Sequence, residues 1–526
     1  MGSAQRSGVG PAIRGRPSDP GSAQRSGVGP AIRGRARGGA DYHRAVTQDR
    51  LTVAVPGALA MRLPELDAIA PMDAAERVRD LPGLALLESA RPGRNARWTY
   101  LTADPVTVLE APADRADIFA TARRVLGRLA PTPLGDPDAP RFAGGLVGYL
   151  SYDLGRRLER LPSTAAADQE LPLLRLALHD WVVAWDRRLG QAWLTGRAVD
   201  ERIGRLDRRL AAVRERLLDA PSSSPRNAAA VDSQRAYHAA GFELRSGLDR
   251  AAFEAGVDAV RAAIARGEIY QANLTRRLET PFRGDPWPLY RQLRTGDPAL
   301  FAAFLDLGAS PVTGAPRAVV SASPEPFLAV TRDGLVAADP IKGTRPRGRD
   351  RAEDRALARE LLASGKDRAE NVMIVDVLRN DLGRVCLPGT VRVPRLCRLE
   401  RTVAVQHLVS TVTGRLAPGR DAFDLLVASF PGGSITGAPK IRAMEVIEDL
   451  EPVRRGPYTG AAGWIGADGA MQTSILIRTF VADGARLTLH VGGGITWRSD
   501  PAAEWDETVA KARGPLSALG AREVPG

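Results

Sequence analysis

Lysine is rare in this chain, and its placement is the first indication of chemistry. The sequence contains 69 arginines but only four lysines, which are Lys342, Lys366, Lys440 and Lys511. A lysine amine can lose its proton and act as a base or nucleophile, whereas an arginine guanidinium stays charged. Pro340 and Gly343 bracket Lys342; the first fixes a backbone dihedral, and the second lets another group come close. The stretch Asp339–Thr344 therefore predicts a reactive amine, although a surface lysine in a turn would also fit it.

Two helical segments each carry a pair of carboxylates. Asp367 and Glu370 are three residues apart, and Glu504 and Glu507 have the same spacing near the C-terminus. Residues three apart on a helix share a face. Four carboxylates from two helices predict a site for a hard divalent cation, and all-oxygen ligation favours Mg²⁺. The spacing alone also fits a second interpretation, in which both faces are simply solvated.

Glycine-rich segments and one strand arginine predict an anion site. The segment 430–440 (FPGGSITGAPK) opens a helix at Pro439, and Gly492-Gly493-Gly494 follows a predicted strand. Such backbones approach ligands closely and direct N–H groups at anions. Arg478 lies among apolar residues in the predicted strand 474–479 and would suit a carboxylate held by two hydrogen bonds. An outward-facing strand arginine is the alternative.

The elements that must position these groups are mostly short strands. Periodicity and turn residues predict strands at 84–89, 98–101, 142–154, 174–185, 191–195, 268–274, 301–307, 318–321, 327–331, 401–413, 461–467, 471–481 and 486–491. Helices are predicted at 200–218, 249–265 (with Asp249 as the N-cap), 352–364, 367–379, 421–430, 439–449 and 501–518. Strands outnumber crossover helices, so we expect a largely antiparallel α+β fold.

Composition narrows the class of protein. The chain of 526 residues is 44% hydrophobic and 25% charged, as in globular proteins. No apolar run approaches the roughly 18 residues that span a bilayer, and the basic N-terminus lacks the apolar core of a secretion signal. Cys386 and Cys397 form neither a disulfide framework nor a zinc motif. We therefore expect a cytoplasmic protein without a membrane partner.

An exact duplication marks the N-terminus. Residues 2–16 recur identically at 21–35, and this Gly-, Arg- and Ser-rich composition is typical of disorder. We predict a disordered basic tail at 1–44, an N-terminal part at 45–219, a linker at 220–235 and a catalytic region at 236–520. The net charge of +12 is not arranged as a basic stripe with interleaved aromatic residues, so we expect no nucleic-acid partner. A nucleic-acid-binding tail on an inactive scaffold is the alternative.

Eight motifs together resemble the series found in chorismate-utilising enzymes. They are SASPEPF (321–327), PIKGT (340–344), AENVMIVDVLRNDLGRV (369–385), VQHLVSTVTG (405–414), FPGGSITGAPKIRAMEVI (430–447), SILIRT (474–479), GGGI (492–495) and ExxETxxK (504–511). Upstream, residues 144–162 are similar to the N-terminal half of the same family. Leu87, Glu88 and Ser89 match an element that lines a tryptophan-binding pocket in relatives.

The resemblance implies a fold and a set of residue roles. The implied fold has two packed, largely antiparallel sheets with outer helices and an active site in a cleft. The implied catalytic residues are Lys342, Glu325 and His407. The implied substrate-binding residues are Arg478, Gly492, Gly493, Gly494, Thr436, Gly433, Tyr458, Thr344 and Gln271. The implied Mg²⁺ ligands are Glu370, Glu507 and Glu504, with Asp367 as a secondary candidate.

Two positions indicate a branch of that family. Relatives that activate water carry a lysine where this chain has Gln271, and relatives that make anthranilate commonly carry alanine where it has Lys342. Lysine with glutamine resembles the aminodeoxychorismate synthase branch. The resemblance then implies that Lys342 attacks C2 of chorismate while Glu325 protonates the departing C4 oxygen, and that ammonia adds at C4. The product, 4-amino-4-deoxychorismate, leads to 4-aminobenzoate and folate; anthranilate synthesis is the alternative.

The source of ammonia is expected to be a second protein. A glutaminase of the relevant class needs a nucleophilic cysteine in a glycine elbow and a His-x-Glu motif, and neither Cys386 nor Cys397 has that context. We therefore expect a separate glutaminase subunit as the partner.

Overall fold

Two extended β-sheets packed face to face form the centre of the molecule. The structure is a computed structural model, and it describes residues 57–91, 96–111, 117–219, 242–402 and 405–524. The predicted tail (1–44) and linker (220–235) lie outside the described residues.

The first sheet has 13 strands within the described ranges. They are β1 (Ala58–Arg62), β2 (Ala85–Glu88), β3 (Trp98–Thr102), β7 (Trp181–Asp186), β8 (Gln191–Arg197), β9 (Phe242–Ser246), β10 (Gln271–Pro281), β11 (Phe301–Ala309), β12 (Pro316–Ser323), β18 (Gly437–Ala438), β21 (Thr479–Asp483), β22 (Arg486–Ile495) and β23 (Ala521–Val524). Their order is β1-β8-β7-β3-β2-β11-β12-β21-β22-β10-β9-β23, with β18 paired to β10. Only the β9–β23 pair is parallel among these described pairings.

The second sheet has 10 strands in the same described ranges. They are β4 (Thr107–Glu110), β5 (Gly145–Leu150), β6 (Leu174–His179), β13 (Pro326–Val330), β14 (Leu335–Ala338), β15 (Ile341–Pro346), β16 (Arg392–Arg401), β17 (Val405–Arg415), β19 (Ala461–Gly466) and β20 (Met471–Ile475). The order is β15-β17-β14-β13-β20-β19-β5-β6-β4, with β16 paired to β17. Strands from before and after residue 220 share both sheets, as the β2–β11 and β5–β19 pairs show.

Alternating side chains explain why the sheets pack on both faces. In β7, Trp181, Val183 and Trp185 join the core beneath the outer helices, whereas Val182 and Ala184 join the core between the sheets. Successive strand side chains point to opposite faces, so a strand buried on both sides reads as continuously apolar. This is why the sequence WVVAW is apolar at every position.

Helices cover the outer faces of both sheets. They are α1 (Pro71–Glu76), α2 (Ile118–Leu126), α3 (Gly155–Leu158), α4 (Ile203–Leu218), α5 (Arg250–Ala265), α6 (Trp287–Gly296), α7 (Arg351–Ala363), α8 (Gly365–Gly383), α9 (Ala422–Ser429), α10 (Lys440–Leu450) and α11 (Pro501–Ala518). Residues of α4, α6 and α11 pack on the first sheet, and residues of α2, α8 and α9 pack on the second. The predicted α+β class with outer helices is confirmed. None of the helices described is both long and apolar enough to cross a bilayer.

Several predicted boundaries are wrong in ways that matter for the site. The predicted strand 471–481 is two strands, β20 and β21, and Arg478 lies in the bend between them with a φ of +50°. The glycines 492–494 do not follow a strand; they lie inside β22, paired with Thr275, Leu274 and Asn273 of β10. Glycines without side chains fit this tight pairing, because a Cβ at Gly492 would lie 2.3 Å from the Leu274 carbonyl oxygen.

Three further boundaries differ without changing the site. The predicted strand 174–185 is the hairpin β6–β7, and 401–413 spans the end of β16 and most of β17. Pro439 is the N-cap of α10 rather than its first residue. Asp249 is the N-cap of α5 as predicted, and its side chain accepts a hydrogen bond from the Ala252 N–H.

A buried guanidinium joins three elements beneath the cleft. Arg455 is 1% exposed, and its Nη2 donates to the Asn273 carbonyl at 2.6 Å and to Glu451 Oε1 at 2.7 Å. Its Nη1 donates to the Ile435 carbonyl at 2.9 Å. Glu451 Oε1 in turn accepts from the Thr275 N–H at 2.9 Å. β10, the turn Gly433–Ile435 and the end of α10 are thereby held together by one charged network.

Replacing Arg455 with methionine should destabilise the fold strongly. The change leaves the Glu451 carboxylate buried without its ion-pair partner. Breaking a buried ion pair costs about 3–5 kcal/mol. Urea denaturation followed by tryptophan fluorescence measures the free energy of unfolding. The control is Arg522→Met, which removes an exposed partner of Glu243 and should cost less than about 1 kcal/mol. Equal losses in the two variants would contradict the structural role of Arg455.

Candidate active site

Lys342 projects from an irregular position of β15. The pairing of β15 with β17 shifts register between Lys342 and Thr344, and Gly343 at this point has a φ of +78°. A Cβ at Gly343 would lie 2.8 Å from the Asp367 Cβ, so glycine is needed both for the backbone angle and for the approach of α8. The half-buried Lys342 Nζ donates to the Ser434 carbonyl oxygen at 3.1 Å.

Glu325 lies between β12 and β13 and meets the same serine. Its carbonyl accepts from the Ile475 N–H at 3.1 Å, which fixes it against β20. Burial raises the pKa of the Glu325 carboxyl, while Lys342, a hydrogen bond with the Ser434 side chain, and Lys511 each oppose that rise. The net shift favours the neutral acid. A proton donor thus lies beside an amine, which is the pair that acid-assisted displacement of a hydroxyl needs.

The predicted carboxylates of α8 and α11 face one another across two lysines. Lys366 Nζ lies 4.0 Å from Glu370 Oε1 and 3.9 Å from Glu504 Oε1. Lys511 Nζ lies 2.7 Å from Glu507 Oε1 and donates to the Gly492 carbonyl at 2.8 Å. Among the described residues, no three His, Cys, Asp or Glu side chains form a group that could hold a metal ion as they stand. The two lysines offset part of the negative charge of the three carboxylates.

Burial and charge act differently on these three carboxyls. Burial raises the pKa of Glu370 and of Glu504. Burial also acts to raise the pKa of Glu507, but Lys511, Lys366 and Lys342 together outweigh it, and the pKa is lowered. Glu370 Oε1 is buried without a hydrogen-bond partner. An orphaned carboxylate oxygen facing other carboxylates has the donor chemistry that a hard divalent cation prefers.

The glycines of β22 form the floor next to this cluster. A Cβ at Gly493 would lie 3.2 Å from Glu504 Oε2 and 3.5 Å from Glu507 Oε1. Asp367, the secondary candidate, instead pairs with Arg345 at 3.3 Å and is less available. The structure thus brings Gly493, Glu504 and Glu507 together.

Gln271 is the most informative polar side chain on β10. It is fully buried, and neither its amide oxygen nor its amide nitrogen has a hydrogen-bond partner. A Cβ at Gly494 would lie 2.5 Å from Gln271 Nε2, so the amide lies directly over the glycine strand. Buried amides are normally satisfied. An amide with both ends free indicates a place where a ligand supplies the missing partners.

Three predicted substrate-binding residues are buried in the wall of the cleft. The Thr436 hydroxyl donates to the Gly432 carbonyl at 2.9 Å, so it is already bonded within its own turn. A Cβ at Gly433 would lie 2.7 Å from Val377 Cγ1 of α8, which explains why glycine stands there. Tyr458 stacks on His490 with ring centroids 4.9 Å apart, and burial raises the pKa of its hydroxyl. Thr436 and Gly433 therefore each have a structural role: the first closes its own turn, and the second allows α8 to pack closely.

Arg478 and His407 lie on one side of the cleft. The side chain of Arg478 is 41% exposed and its Nη1 lies 3.5 Å from Asp297 Oδ1. It is therefore neither a strand residue nor a buried one, and it projects from the bend because its positive φ turns the chain there. His407 Nδ1 shares a hydrogen bond of 2.9 Å with the Thr344 hydroxyl. Burial, Arg91 and Arg478 lower the pKa of His407 to about 4, so the imidazole is neutral at pH 7.

Leu87, Glu88 and Ser89 line a cavity separate from Lys342. It has a volume of about 300 Å³ and lies between the sheets, with Phe301 and Trp464 among its other walls. Glu88 is tied down here, because Tyr290 donates to it at 2.8 Å and Arg294 pairs with it at 3.1 Å. The proposed tryptophan pocket thus corresponds to a real cavity, and its occupant stays a prediction.

Sequence reasoning missed five residues that act on the predicted set. Four of them contact it, namely Ser434, Lys366, Lys511 and Asp297, and the charge of Arg91 acts on Arg478 and His407. Lys366 and Lys511 carried a usable signal in the rarity of lysine, because three of the four lysines in the sequence act at this site. Ser434, Arg91 and Asp297 carried none, because their roles depend on contacts between segments far apart in the chain.

Comparisons with known proteins identify the family. The chain matches the family of chorismate binding enzymes over residues 85–517. It is 40% identical over 462 residues to anthranilate synthase component 1 of Streptomyces coelicolor, covering 86% of this chain and 87% of that protein. It is also 40% identical over 472 residues to aminodeoxychorismate synthase component 1 of Salmonella typhimurium, covering 85% of this chain and 96% of that protein.

A solved structure agrees with this assignment. Anthranilate synthase component I from Streptococcus pneumoniae TIGR4 aligns with a TM-score of 0.68 and 27% identity, covering 86% of this chain and 99% of that one. The chain belongs to the chorismate binding enzyme family, and the resemblance seen in its motifs is confirmed. Equal identity to two differently named relatives does not separate their activities.

The neutral state of His407 is open to direct measurement. With a pKa of about 4, the His407 imidazole should not titrate between pH 5.5 and pH 8 in the ligand-free protein. Two-dimensional NMR of the imidazole Cε1–H groups records the titration, and His407→Gln assigns the resonance by its loss. A His407 midpoint near the usual histidine value of about 6.5 would contradict the described burial and charge around it.

Proposed function

We propose that this member of the chorismate binding enzyme family aminates chorismate at C4, giving 4-amino-4-deoxychorismate for 4-aminobenzoate and folate synthesis. One observation carries the proposal: Ser434 holds the amine of Lys342 through its carbonyl and meets the Glu325 carboxyl through its side chain. An amine beside a carboxyl whose pKa is raised by burial suits the replacement of a hydroxyl through a covalent intermediate.

The reaction divides into two substitutions on the ring. In the first, Lys342 Nζ bonds to C2, the ring double bonds shift, and the C4 hydroxyl leaves as water with the proton that Glu325 donates. In the second, ammonia bonds to C4, the double bonds shift back, and the Lys342 amine leaves C2. The net change replaces the hydroxyl with an amino group and releases one water. Two displacements of moderate difficulty replace one hard displacement, which is the advantage of covalent catalysis.

The residue at position 271 supports ammonia as the final nucleophile. A glutamine amide does not take a proton at neutral pH, so Gln271 has no means of activating water as a base. Its free amide oxygen can accept a hydrogen bond from an amine, and its free Nε2 can donate to an oxygen of the substrate. Ammonia is already a nucleophile and needs only to be oriented.

A magnesium ion is part of the proposal. Glu370, Glu507 and Glu504 would hold it. Lys366 and Lys511 now lie beside these carboxylates, so both lysine side chains would move aside when the ion binds. Bound Mg²⁺ supplies positive charge that orients and polarises the ring carboxylate of chorismate. Arg478 and the backbone at Gly493 bind the same carboxylate in this account.

A separate glutaminase component is also part of the proposal. The relatives are named as component 1, which implies a component 2. Both cysteines of this chain are buried free thiols, and burial raises the pKa of Cys386, so neither is an exposed nucleophile for glutamine. Free ammonia would substitute for the partner in the test tube.

Anthranilate synthesis is the second candidate, because the Streptomyces coelicolor relative of that name is equally similar. In that reaction ammonia would attack C2 directly, and Lys342 would have no covalent role. Ser434 contacts both Lys342 and Glu325, and this arrangement favours amination at C4 through a covalent intermediate.

Replacing Glu370 or Glu507 with glutamine should lower turnover by orders of magnitude. Each change removes a charged ligand from the proposed Mg²⁺ site without changing side-chain size. Turnover is measured at limiting and at saturating Mg²⁺, and circular dichroism checks the fold. The control is Asp376→Asn, which changes a 74%-exposed carboxylate on the same helix, α8. Near-normal activity of both glutamate variants at limiting Mg²⁺ would show that Glu370 and Glu507 do not bind the ion.

Chorismate supplied without ammonia should leave a covalent adduct on Lys342. Intact-mass spectrometry should show a gain of one chorismate less one water, and peptide mapping should place it on the segment containing Ile341-Lys342-Gly343. Lys342→Ala should abolish the adduct, and Lys342→Arg should be no better, because a guanidinium stays protonated. Lys440 pairs with Asp381 and serves as the control, so Lys440→Arg should still form the adduct. Full activity in Lys342→Arg would exclude the covalent mechanism.

A further inference from the structure

A second buried guanidinium, that of Arg276, joins β10 to three other elements. Its Nε donates to the Thr508 hydroxyl of α11 at 2.8 Å. Its Nη1 and Nη2 donate to the two carboxylate oxygens of Glu523 on β23, at 2.6 and 3.0 Å. Nη1 also donates to the Ser246 hydroxyl of β9 at 3.0 Å. The guanidinium carbon lies 4.2 Å from the ring centroid of Trp505, which is also on α11.

The two contacts on α11 lie next to the proposed metal ligands. Trp505 directly follows Glu504, and Thr508 directly follows Glu507. Thr508 also lies one turn after Glu504, so these two side chains share a face of the helix. The Thr508 hydroxyl accepts from Arg276 and donates to the Trp505 carbonyl at 2.7 Å. A rotation or a slide of α11 against β10 would therefore break these bonds and displace both carboxylates.

The part of α11 that bears the carboxylates depends on contacts from outside the helix. Pro515 lies inside α11 and has no N–H, so it cannot donate to the Lys511 carbonyl as a residue at that place in a helix normally does. The Lys511 amine donates to the Gly492 carbonyl at 2.8 Å. That bond would be given up when Lys511 moves aside for the ion, whereas the buried contacts of Arg276 remain.

Fastening β23 would not by itself require the contacts that Arg276 makes with α11. The two bonds to Glu523 already hold β23, yet both Nε and the flat face of the guanidinium are directed at α11. Because the guanidinium is planar and rigid, the two bonds to Glu523 also fix the direction of its Nε. The pair with Glu523 thus orients the group that holds Thr508.

We propose that Arg276 is a positioning residue for the Mg²⁺ site. It fixes α11 on β10 so that Glu504 and Glu507 lie beside Gly493, where the structure places them. Glu523 of β23 supports this role by holding the guanidinium in one orientation. The inference rests on the proposed Mg²⁺ site and is independent of which ring carbon is aminated.

Metal binding in the absence of chorismate gives the first test. Mn²⁺ serves as a paramagnetic substitute for Mg²⁺, and electron paramagnetic resonance of the free ion measures its dissociation constant. Thr508→Val keeps the shape of the side chain and removes its hydroxyl. It should weaken Mn²⁺ binding about fivefold, the loss typical of one hydrogen bond. Thr508→Ser keeps the hydroxyl and should bind Mn²⁺ as the native protein does.

The matched control is Thr121→Val on α2. The Thr121 hydroxyl also accepts from an arginine, Arg124 at 3.0 Å, and donates to a backbone carbonyl of its own helix, that of Asp117 at 3.3 Å. Its loss should leave Mn²⁺ binding unchanged, because α2 packs on the second sheet and carries none of the proposed ligands. Circular dichroism checks the fold of each variant.

Glu504→Gln separates a failure of the inference from a failure of the metal site. If Glu504→Gln weakens Mn²⁺ binding and Thr508→Val does not, the metal site stands and the positioning role is overturned. If neither change weakens binding, the metal site is wrong and the inference falls with it. Equal weakening in Thr508→Val and Thr508→Ser would also overturn the inference, because the hydroxyl would then not matter.

The Arg276 side chain itself gives the second readout. Arg276→Lys keeps the positive charge and loses the planar fork, so its effect reports position rather than charge. The Mg²⁺ concentration for half-maximal turnover should rise about tenfold, with kcat at saturating Mg²⁺ within about twofold. An unchanged Mg²⁺ requirement, or a loss of kcat that saturating Mg²⁺ does not restore, would overturn the inference. Turnover is followed on whichever amino product the enzyme forms.

Discussion

The geometry of the site depends on the buried guanidinium of Arg455. Its hydrogen bonds to the carbonyls of Asn273 and Ile435 fix β10 relative to the turn that contains Ser434. Ser434 in turn contacts both the amine of Lys342 and the carboxyl of Glu325. A charge that is buried and fully bonded permits few alternative arrangements, so the turn has a defined position. The distance between nucleophile and acid is thus set by a residue that touches neither.

Charge balance explains why the site uses lysines rather than arginines. Two lysines, Lys366 and Lys511, lie beside the carboxylates of Glu370, Glu504 and Glu507. Adding a divalent cation together with a substrate dianion leaves the net charge of this cluster unchanged. Lysine is a compact charge on a flexible stem and can move aside or lose its proton, whereas an arginine does neither readily. This is a physical reason for keeping lysine here in a chain that otherwise uses arginine.

The sequence predicted the fold well where the pattern is local. The apolar run of β7 and the N-cap Asp249 could both be predicted, because each depends on residues adjacent in sequence. The stretch SILIRT contains three consecutive apolar residues and was predicted as part of one strand, so the bend at Arg478 was missed. That bend depends on a positive φ at Arg478, whose carbonyl accepts a hydrogen bond from the Ala322 N–H. Glu370 and Glu507 were predicted from their spacing and motif, whereas the contacts of Ser434 and Asp297 arise only in the folded chain.

The central claim is that an amine at Lys342 directs ammonia to C4 of the ring. The most direct test is the identity of the product formed from chorismate, Mg²⁺ and ¹⁵N-labelled ammonium by this chain alone, analysed by liquid chromatography with mass spectrometry. The account predicts ¹⁵N-labelled 4-amino-4-deoxychorismate, which a lyase added afterwards converts to 4-aminobenzoate. Fluorescent ¹⁵N-labelled anthranilate formed without any added lyase would contradict it.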